Sequence, residues 1–319
     1  MRVLFVTGTR IGDAILSTGV LAHLLDTLPR ARFTVACGPL AAPLFAAVPR
    51  LDRIVVMRKR KDGGHWLKLW AYAVLRPWSR VVDLRGSLVA YLVWTRARAV
   101  KTSKSHEGHV VEQLARVAGL TEPPGPRLWT APEHWAQAAR LVPDGPPVLA
   151  LAPVANWRGK EWPIEHFAEL ALRLTGPNGI LPGGRIAVFG AAEDRARAEV
   201  LFAALPAGRT IDLMTGLDLL TAHECLRRTA LFVGNDSGTM HLAAASGVRT
   251  LGLFGPSKDR LYRPWGPCGE AVRTPESFDE LVGRPGYDHR TTGTLMGSLT
   301  VEAVEIGARA LWRREGGAR

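Results

Sequence analysis

Short β-rich runs alternate with amphipathic stretches along almost the whole chain, and this alternation constrains the fold more than any other feature. "RVLFVTG" reads as a strand and "GDAILSTGVLAHLLDTL" as a helix with apolar residues at helical spacing. "RFTVACG", a short helix around Leu40 to Val48, "RIVVM", the helical "HWLKLWAYAVL", the strand "RVVDLRG" and the helix "HVVEQLARVAGL" follow. Strands regularly separated by helices cannot form hairpins; they imply parallel, doubly wound sheets.

Two Pro-rich breaks interrupt the pattern, Leu120 to Trp129 and Leu141 to Pro147. The alternation restarts at "VLALAP", which places a boundary near the second break. It then runs through "PIEHFAELALRL", "RIAVFG", "EDRARAEVLFAAL", "TIDLM", "LLTAHECLRRT" and "ALFVG" to a last helix and "RTLGLFG". The expectation is two α/β domains, 1–145 and 146–299, with 300–319 forming a final helix that packs across their junction. A length of 319 residues suits two such cores.

Lys and Arg total 41 against 29 Asp and Glu, a net charge of +12. Such a balance favours an acidic partner: nucleic acid, an anionic membrane surface or a phosphorylated substrate. No recognised DNA or RNA module appears, so nucleic acid is set aside. Cys37, Cys225 and Cys268 lie far apart without a CxxC pair, which argues against a disulfide framework or zinc site and fits a reducing cytoplasm. The N-terminal apolar run is too short for a signal peptide, and no charge-free run approaches the roughly 18 residues of a membrane span. The chain reads as cytoplasmic, peripheral on the inner membrane at most.

In parallel α/β sheets, ligands bind beyond the carboxyl ends of the strands. The stretch "LFVGNDSGTMHLAAASGVRTLGLFGPS" puts small polar residues between a strand and a helix at such an end. Asp236 or Ser237 can cap that helix, and Gly238 lets a ligand approach its backbone; the free amides and helix dipole suit a phosphate. Lys160, in "NWRGKEWP", adds a cation just before Pro163 opens another helix. Together they point to a nucleotide diphosphate. Asp13 follows Gly12 at the first helix start, where the dipole favours an ionised carboxylate fit to act as a base. "GTRIGD" lacks the GxGxxG of a dinucleotide site. Asp212 and Asp218 are isolated, so no DxD-like metal site is evident, and no cofactor is implied.

These motifs resemble the ADP-heptose:lipopolysaccharide heptosyltransferases, glycosyltransferase family 9, whose GT-B fold has two Rossmann-like domains. The opening segment carries the family's Gly-Asp pair at Gly12 and Asp13. "VVDLRGSL" is similar to a second signature, and "APVANWRGKEWPIEHFAELALRL" to the phosphate-binding lysine segment. "VFGAAEDRARAEV" resembles the segment with a ribose-contacting acid, matched by Glu193. The resemblance implies that Asp236, Ser237, Gly238 and His241 line an ADP pocket, with Thr9, Gly12, Asn156, Leu217 and Thr239 completing the donor side. Asn156 stands where some members carry a hydroxyl residue, and Arg10 replaces a small polar one.

The function implied is an inverting, metal-independent transfer of heptose from ADP-heptose, or a similar nucleotide sugar, to a sugar hydroxyl of a phosphorylated lipopolysaccharide inner core or a related glycan. Asp13 would be the base, and Lys160 with the helix-start amides would stabilise departing ADP. Candidate acceptor contacts are Arg10, Arg58, Arg60, Lys61, His106 and His109, and the basic surface could meet the inner leaflet. Two rival readings are a nucleotide-sugar epimerase of the same fold and a non-catalytic sugar-nucleotide or glycan-binding homologue. Asp13 and Lys160 occurring together argue against the second.

Overall fold

The computed structural model describes residues 1–59, 61–102, 107–284, 286–288 and 291–314. The chain forms two compact units, Met1–Ala131 and Pro132–Arg319.

The first unit holds strands β1 (Arg2–Val6), β2 (Arg32–Cys37), β3 (Leu51–Val56), β4 (Trp78–Asp83) and β5 (Thr95–Val100). Its helices are α1 (Ile11–Thr27), α2 (Gly64–Ala73) and α3 (Val110–Val117). All strand pairs are parallel, in the order β3-β2-β1-β4-β5. The chain winds outward from β1 to β3, then returns to the other side of β1 with β4. The crevice between the carboxyl ends of β1 and β4 is therefore a topological switch point. β1 is apolar and buried after its first residue, as a central strand covered on both faces must be.

The second unit holds α4 (Pro132–Leu141), β6 (Val148–Ala152), α5 (Ile164–Thr175), β7 (Arg185–Phe189), α6 (Glu199–Ala204) and β8 (Thr210–Leu213). It continues with α7 (Leu219–Arg227), β9 (Leu231–Asn235), α8 (Gly238–Ser246), β10 (Arg249–Phe254) and α9 (Asp259–Tyr262). β11 (Gly269–Arg273), α10 (Phe278–Val282) and α11 (Val301–Arg313) complete it. Its parallel sheet has the order β11-β10-β9-β6-β7-β8, so the winding reverses between β6 and β9.

The division between the units falls before α4, not after it. α4 packs on α7, where Gln137 Oε1 accepts from Thr221 Oγ1 at 3.3 Å and the Arg228 Nε donates to the Val142 carbonyl at 2.6 Å. Val301, Val304, Ala308 and Leu311 of α11 are buried in the same core as Leu149, Phe167 and Leu251, so its apolar face is used within the second unit.

Candidate active site

Both switch points carry residues singled out in the sequence. In the second unit, the loop after β6 brings Lys160 to the loop after β9, where its Nζ donates to Asp236 Oδ2 at 2.5 Å. Asp236 is buried and Lys160 half-buried. Asn235, fully buried at the end of β9, fixes the two loops together. Its Oδ1 accepts from the Trp162 amide at 3.0 Å, and its Nδ2 donates to the Pro153 carbonyl at 2.7 Å.

Trp162 anchors this loop from below, with Nε1 donating to the Leu299 carbonyl at 2.7 Å just before α11. The Leu295 amide donates to the Gly159 carbonyl at 3.1 Å, and Thr294 Oγ1 to the Glu161 carbonyl. Glu161 accepts from the Ala155 amide at 2.9 Å and from Arg197. Lys160 thus projects from a loop tied down on both sides, which lowers the entropy cost of presenting its charge to a ligand.

Neither expected capping residue caps α8. Ser237 occupies the cap position with extended backbone, but its side chain makes no capping bond. Asp236 is drawn to Lys160 instead. The first amides of α8 are left without a side-chain acceptor, and the Ser237 hydroxyl is a buried atom with no partner among the described residues. A helix start that lacks its cap while retaining an unused hydroxyl and a neighbouring lysine is a ready anion site. His241, one turn later, is buried with its ring edge-on to Tyr262 at 6.5 Å.

The remaining donor-side candidates lie along the same carboxyl edge. Asn156 is exposed in the Lys160 loop, Glu193 exposed after β7, and Leu217 half-buried after β8. Asp212 and Asp218 have structural partners. Asp212 pairs with Arg195 at 2.6 Å, and Asp218 caps α7 by accepting from the Leu220 and Thr221 amides.

In the first unit, Thr9, Arg10, Gly12 and Asp13 belong to the β1–α1 connection. Asp13 sits half-buried in the first turn of α1, whose cap residue Arg10 contributes no side-chain bond. Close packing requires glycine here at two points. A Cβ on Gly8 would lie 2.6 Å from Asp13 Cβ, and one on Gly38 would lie 2.6 Å from Thr9 Cα. Across the switch point, Asp83 is fully buried and accepts from the Arg85, Gly86 and Ser87 amides at 2.9, 3.1 and 2.9 Å. It shapes the loop that follows β4, and the Leu84 amide bonds the Val6 carbonyl at 2.9 Å.

Of the acceptor candidates, Arg10, Arg58 and Lys61 are exposed. Arg60 and His106 lie outside the described residues. His109 is buried, and its Nδ1 accepts from the Val111 amide at 3.2 Å in a capping box completed by Glu112. That bond caps the start of α3. Asn235, Asp83 and Trp162 were missed as positioning residues. Asn235 stood inside a stretch read as turn punctuation, and nothing local marks it as buried.

The family model of glycosyltransferase family 9 (heptosyltransferase) matches residues 81–281, spanning both switch-point loops of the second unit. The chain belongs to glycosyltransferase family 9. It is 30% identical to lipopolysaccharide heptosyltransferase 2 of Escherichia coli K12, over 86% of this chain and 88% of that protein. The structure of ADP-heptose lps heptosyltransferase II from E. coli superposes with a TM-score of 0.73 at 19% identity, covering 98% of each chain. A family 9 glycosyl transferase from Veillonella parvula gives 0.78 at 19% identity, covering 98% of this chain and 97% of that one. Two parallel-sheet, Rossmann-like units make this the GT-B fold class that the sequence resemblance implied, and the protein is a glycosyltransferase.

Proposed function

We propose that this family 9 enzyme transfers heptose from ADP-heptose to a hydroxyl of a lipopolysaccharide inner-core sugar, with inversion and without a metal ion. The observation that carries the reading is the Lys160–Asp236 pair beside the uncapped start of α8. An ADP diphosphate there would draw on the Lys160 ammonium, the Ser237 hydroxyl and the amides of Gly238 and Thr239. That charge stabilisation matters most as ADP leaves, when negative charge on the β-phosphate grows. Glu193 would contact the ribose, and Asn156, Leu217 and His241 would line the nucleotide; Thr9 and Gly12 would contribute from the β1–α1 connection.

Asp13 is assigned as the base. It removes the proton from the acceptor hydroxyl as the oxygen attacks the anomeric carbon. A single displacement of this kind forms the new C–O bond opposite the breaking one and inverts the anomeric configuration. The E. coli relatives are named as heptosyltransferases, one of them for ADP-heptose, which supports the choice of donor. The leaving charge is assigned to Lys160 and the amides at the start of α8. A nucleotide-sugar donor would place the step in the cytoplasm.

The test is release of ADP from a panel of nucleotide sugars, with and without deacylated core acceptors, and NMR of the product's anomeric configuration. Acceptor-dependent ADP release from ADP-heptose, unchanged by EDTA, is expected. Donor isomerisation or nucleotide release without acceptor would favour an epimerase. Activity lost to EDTA and restored by magnesium would overturn the metal-free step.

A further inference from the structure

The carboxyl edge of the second sheet holds a buried hydroxyl that the proposed chemistry leaves unused. Ser257, in the turn after β10, is 6% exposed, and its Oγ has no partner among the described residues. A serine beside a short helix ordinarily bonds nearby backbone. This one does not: the cap position of α9 belongs to Lys258, whose side chain makes no capping bond. Burying a hydroxyl away from water without a partner is costly, so an unused hydroxyl in a well-packed turn calls for a function.

The turn that carries Ser257 is held in place. The Arg273 guanidinium on β11 donates to the Gly255 carbonyl at 3.3 Å and the Glu276 carbonyl at 3.1 Å, and it pairs with Asp259 at 2.5 Å. Gly255 has no room for a side chain, since a Cβ there would lie 2.3 Å from Met296 Sδ. Pro256 fixes the next φ. The turn also runs beside the start of α8. Leu253 pairs with Asn235 in register, and the Asp236 amide donates to the Leu253 carbonyl at 3.2 Å. Tyr262 of α9 meets the His241 ring of α8. Ser237 and Ser257, whose buried hydroxyls both lack a partner among the described residues, therefore lie on neighbouring turns at one end of one sheet.

The order of the strands decides what Ser257 meets. Along the edge β8-β7-β6-β9-β10 come in turn Leu217, Glu193, Lys160, the start of α8 and Ser257. Under the donor reading above, Leu217 and Glu193 take the nucleoside, and Lys160 and α8 the diphosphate. That is the order in which the parts of a nucleotide sugar are bonded. The next part is the transferred sugar, and the next strand is β10. Adjacent strands lie about 4.8 Å apart, close to the width of one sugar ring. We propose that the Ser257 hydroxyl hydrogen-bonds a hydroxyl of the transferred sugar and so contributes to the choice of donor, an inference that rests on the donor reading for the direction in which the nucleotide lies. The charged neighbours of Ser257 are otherwise engaged: Lys258 lies over the Phe278 ring at 4.9 Å, and Asp259 is held by Arg273. What remains is a neutral group that both donates and accepts, which suits an uncharged sugar hydroxyl. A site built to bond such a hydroxyl discriminates strongly against analogues that lack it.

Titration calorimetry with ADP and with ADP-heptose, in the absence of acceptor, compares the wild type with Ser257→Ala. ADP should bind both proteins equally, and ADP-heptose should bind the variant about fivefold to a hundredfold more weakly. The variant should melt no lower than wild type, because it loses a buried hydroxyl that bonds nothing within the described residues. Equal ADP-heptose affinity in the two proteins would overturn the proposal. Parallel losses for ADP and ADP-heptose would overturn it too: with unchanged melting the hydroxyl would belong to the nucleotide, and with lowered melting to the fold. The donor reading fails separately, in the wild type. Wild-type protein that binds ADP but prefers another ADP-sugar to ADP-heptose would overturn the choice of heptose alone, and Ser257→Ala is then scored on that sugar.

Discussion

Lys160 and Asp236 lie 76 residues apart in sequence, and their side chains meet at 2.5 Å across the point where the second sheet reverses its winding. The pair has two consequences. It diverts Asp236 from capping α8, and it holds Lys160 beside the amides thereby left open. An incoming diphosphate would therefore compete with the Asp236 carboxylate for the same ammonium.

That competition gives the two residues opposite signatures. Lys160→Ala should weaken ADP binding about tenfold to a hundredfold, since a hydrogen bond to a charged group contributes roughly 1.5–3 kcal/mol. Asp236→Asn should bind ADP at least as tightly as wild type, because a like charge beside the diphosphate is gone. Titration calorimetry with ADP compares both. Equal losses in the two variants would mean that Asp236 itself contacts ADP.

Asp13→Asn tests the base. Turnover should fall about a hundredfold to ten-thousandfold, the usual contribution of a general base. ADP affinity should change little, as the proposed partner of the carboxylate is the acceptor hydroxyl. The amide is close to isosteric and keeps the packing against Gly8, so melting should be unaltered. Near wild-type turnover in this variant would remove Asp13 from the mechanism.

Much of this architecture is legible in the sequence because the central strands are uniformly apolar and end on small polar residues. "RVLFVTG" and "ALFVGNDSG" both announce a strand and the ligand-side turn that follows it. The edge strands hide. β5, "TRARAV", alternates exposed Arg96 and Arg98 with half-buried Ala97 and Ala99, so it reads as a charged linker. β11 is half-buried throughout and never forms an apolar run. α4 was masked by its Pro-rich flanks, which look like a boundary on either side. Long-range polar contacts were the least legible. The bonds from Asn235 to Pro153 and Trp162 reach 82 and 73 residues back along the chain, beyond any local pattern.

Thiol reactivity should separate the three cysteines. Burial pushes the Cys37 and Cys225 thiols up to about 12, which leaves almost no thiolate at pH 8. Cys268 is only half-buried. In the native protein, a thiol reagent at pH 8 should modify Cys268 first and the other two only on unfolding. Peptide mapping after brief iodoacetamide treatment checks this, and rapid labelling of Cys37 or Cys225 would contradict the packing of β2 or α7.

The packing of α11 predicts an acid-side weakness. Arg173 on α5 reaches Glu302 at 2.8 Å and Glu305 at 3.2 Å, while Arg309 holds Glu305 at 2.8 Å. Burial alone would raise the Glu305 carboxyl, but hydrogen bonds from Arg309 and Arg173 outweigh it and hold the carboxyl below the usual glutamate range. A folded-state pKa lowered in this way contributes stability that is fully present above the unfolded value of about 4.3 and lost as pH falls through the folded value. The melting temperature should thus decline below about pH 4.3, with α11 among the first elements to lose amide protection. Glu305→Gln should lower the melting temperature at pH 7 and flatten the decline, because the variant has no proton to take up there. The check is a set of thermal melts from pH 3 to 7 on both proteins, and parallel curves over the whole range would show that the Arg173 cluster contributes nothing to the pH dependence.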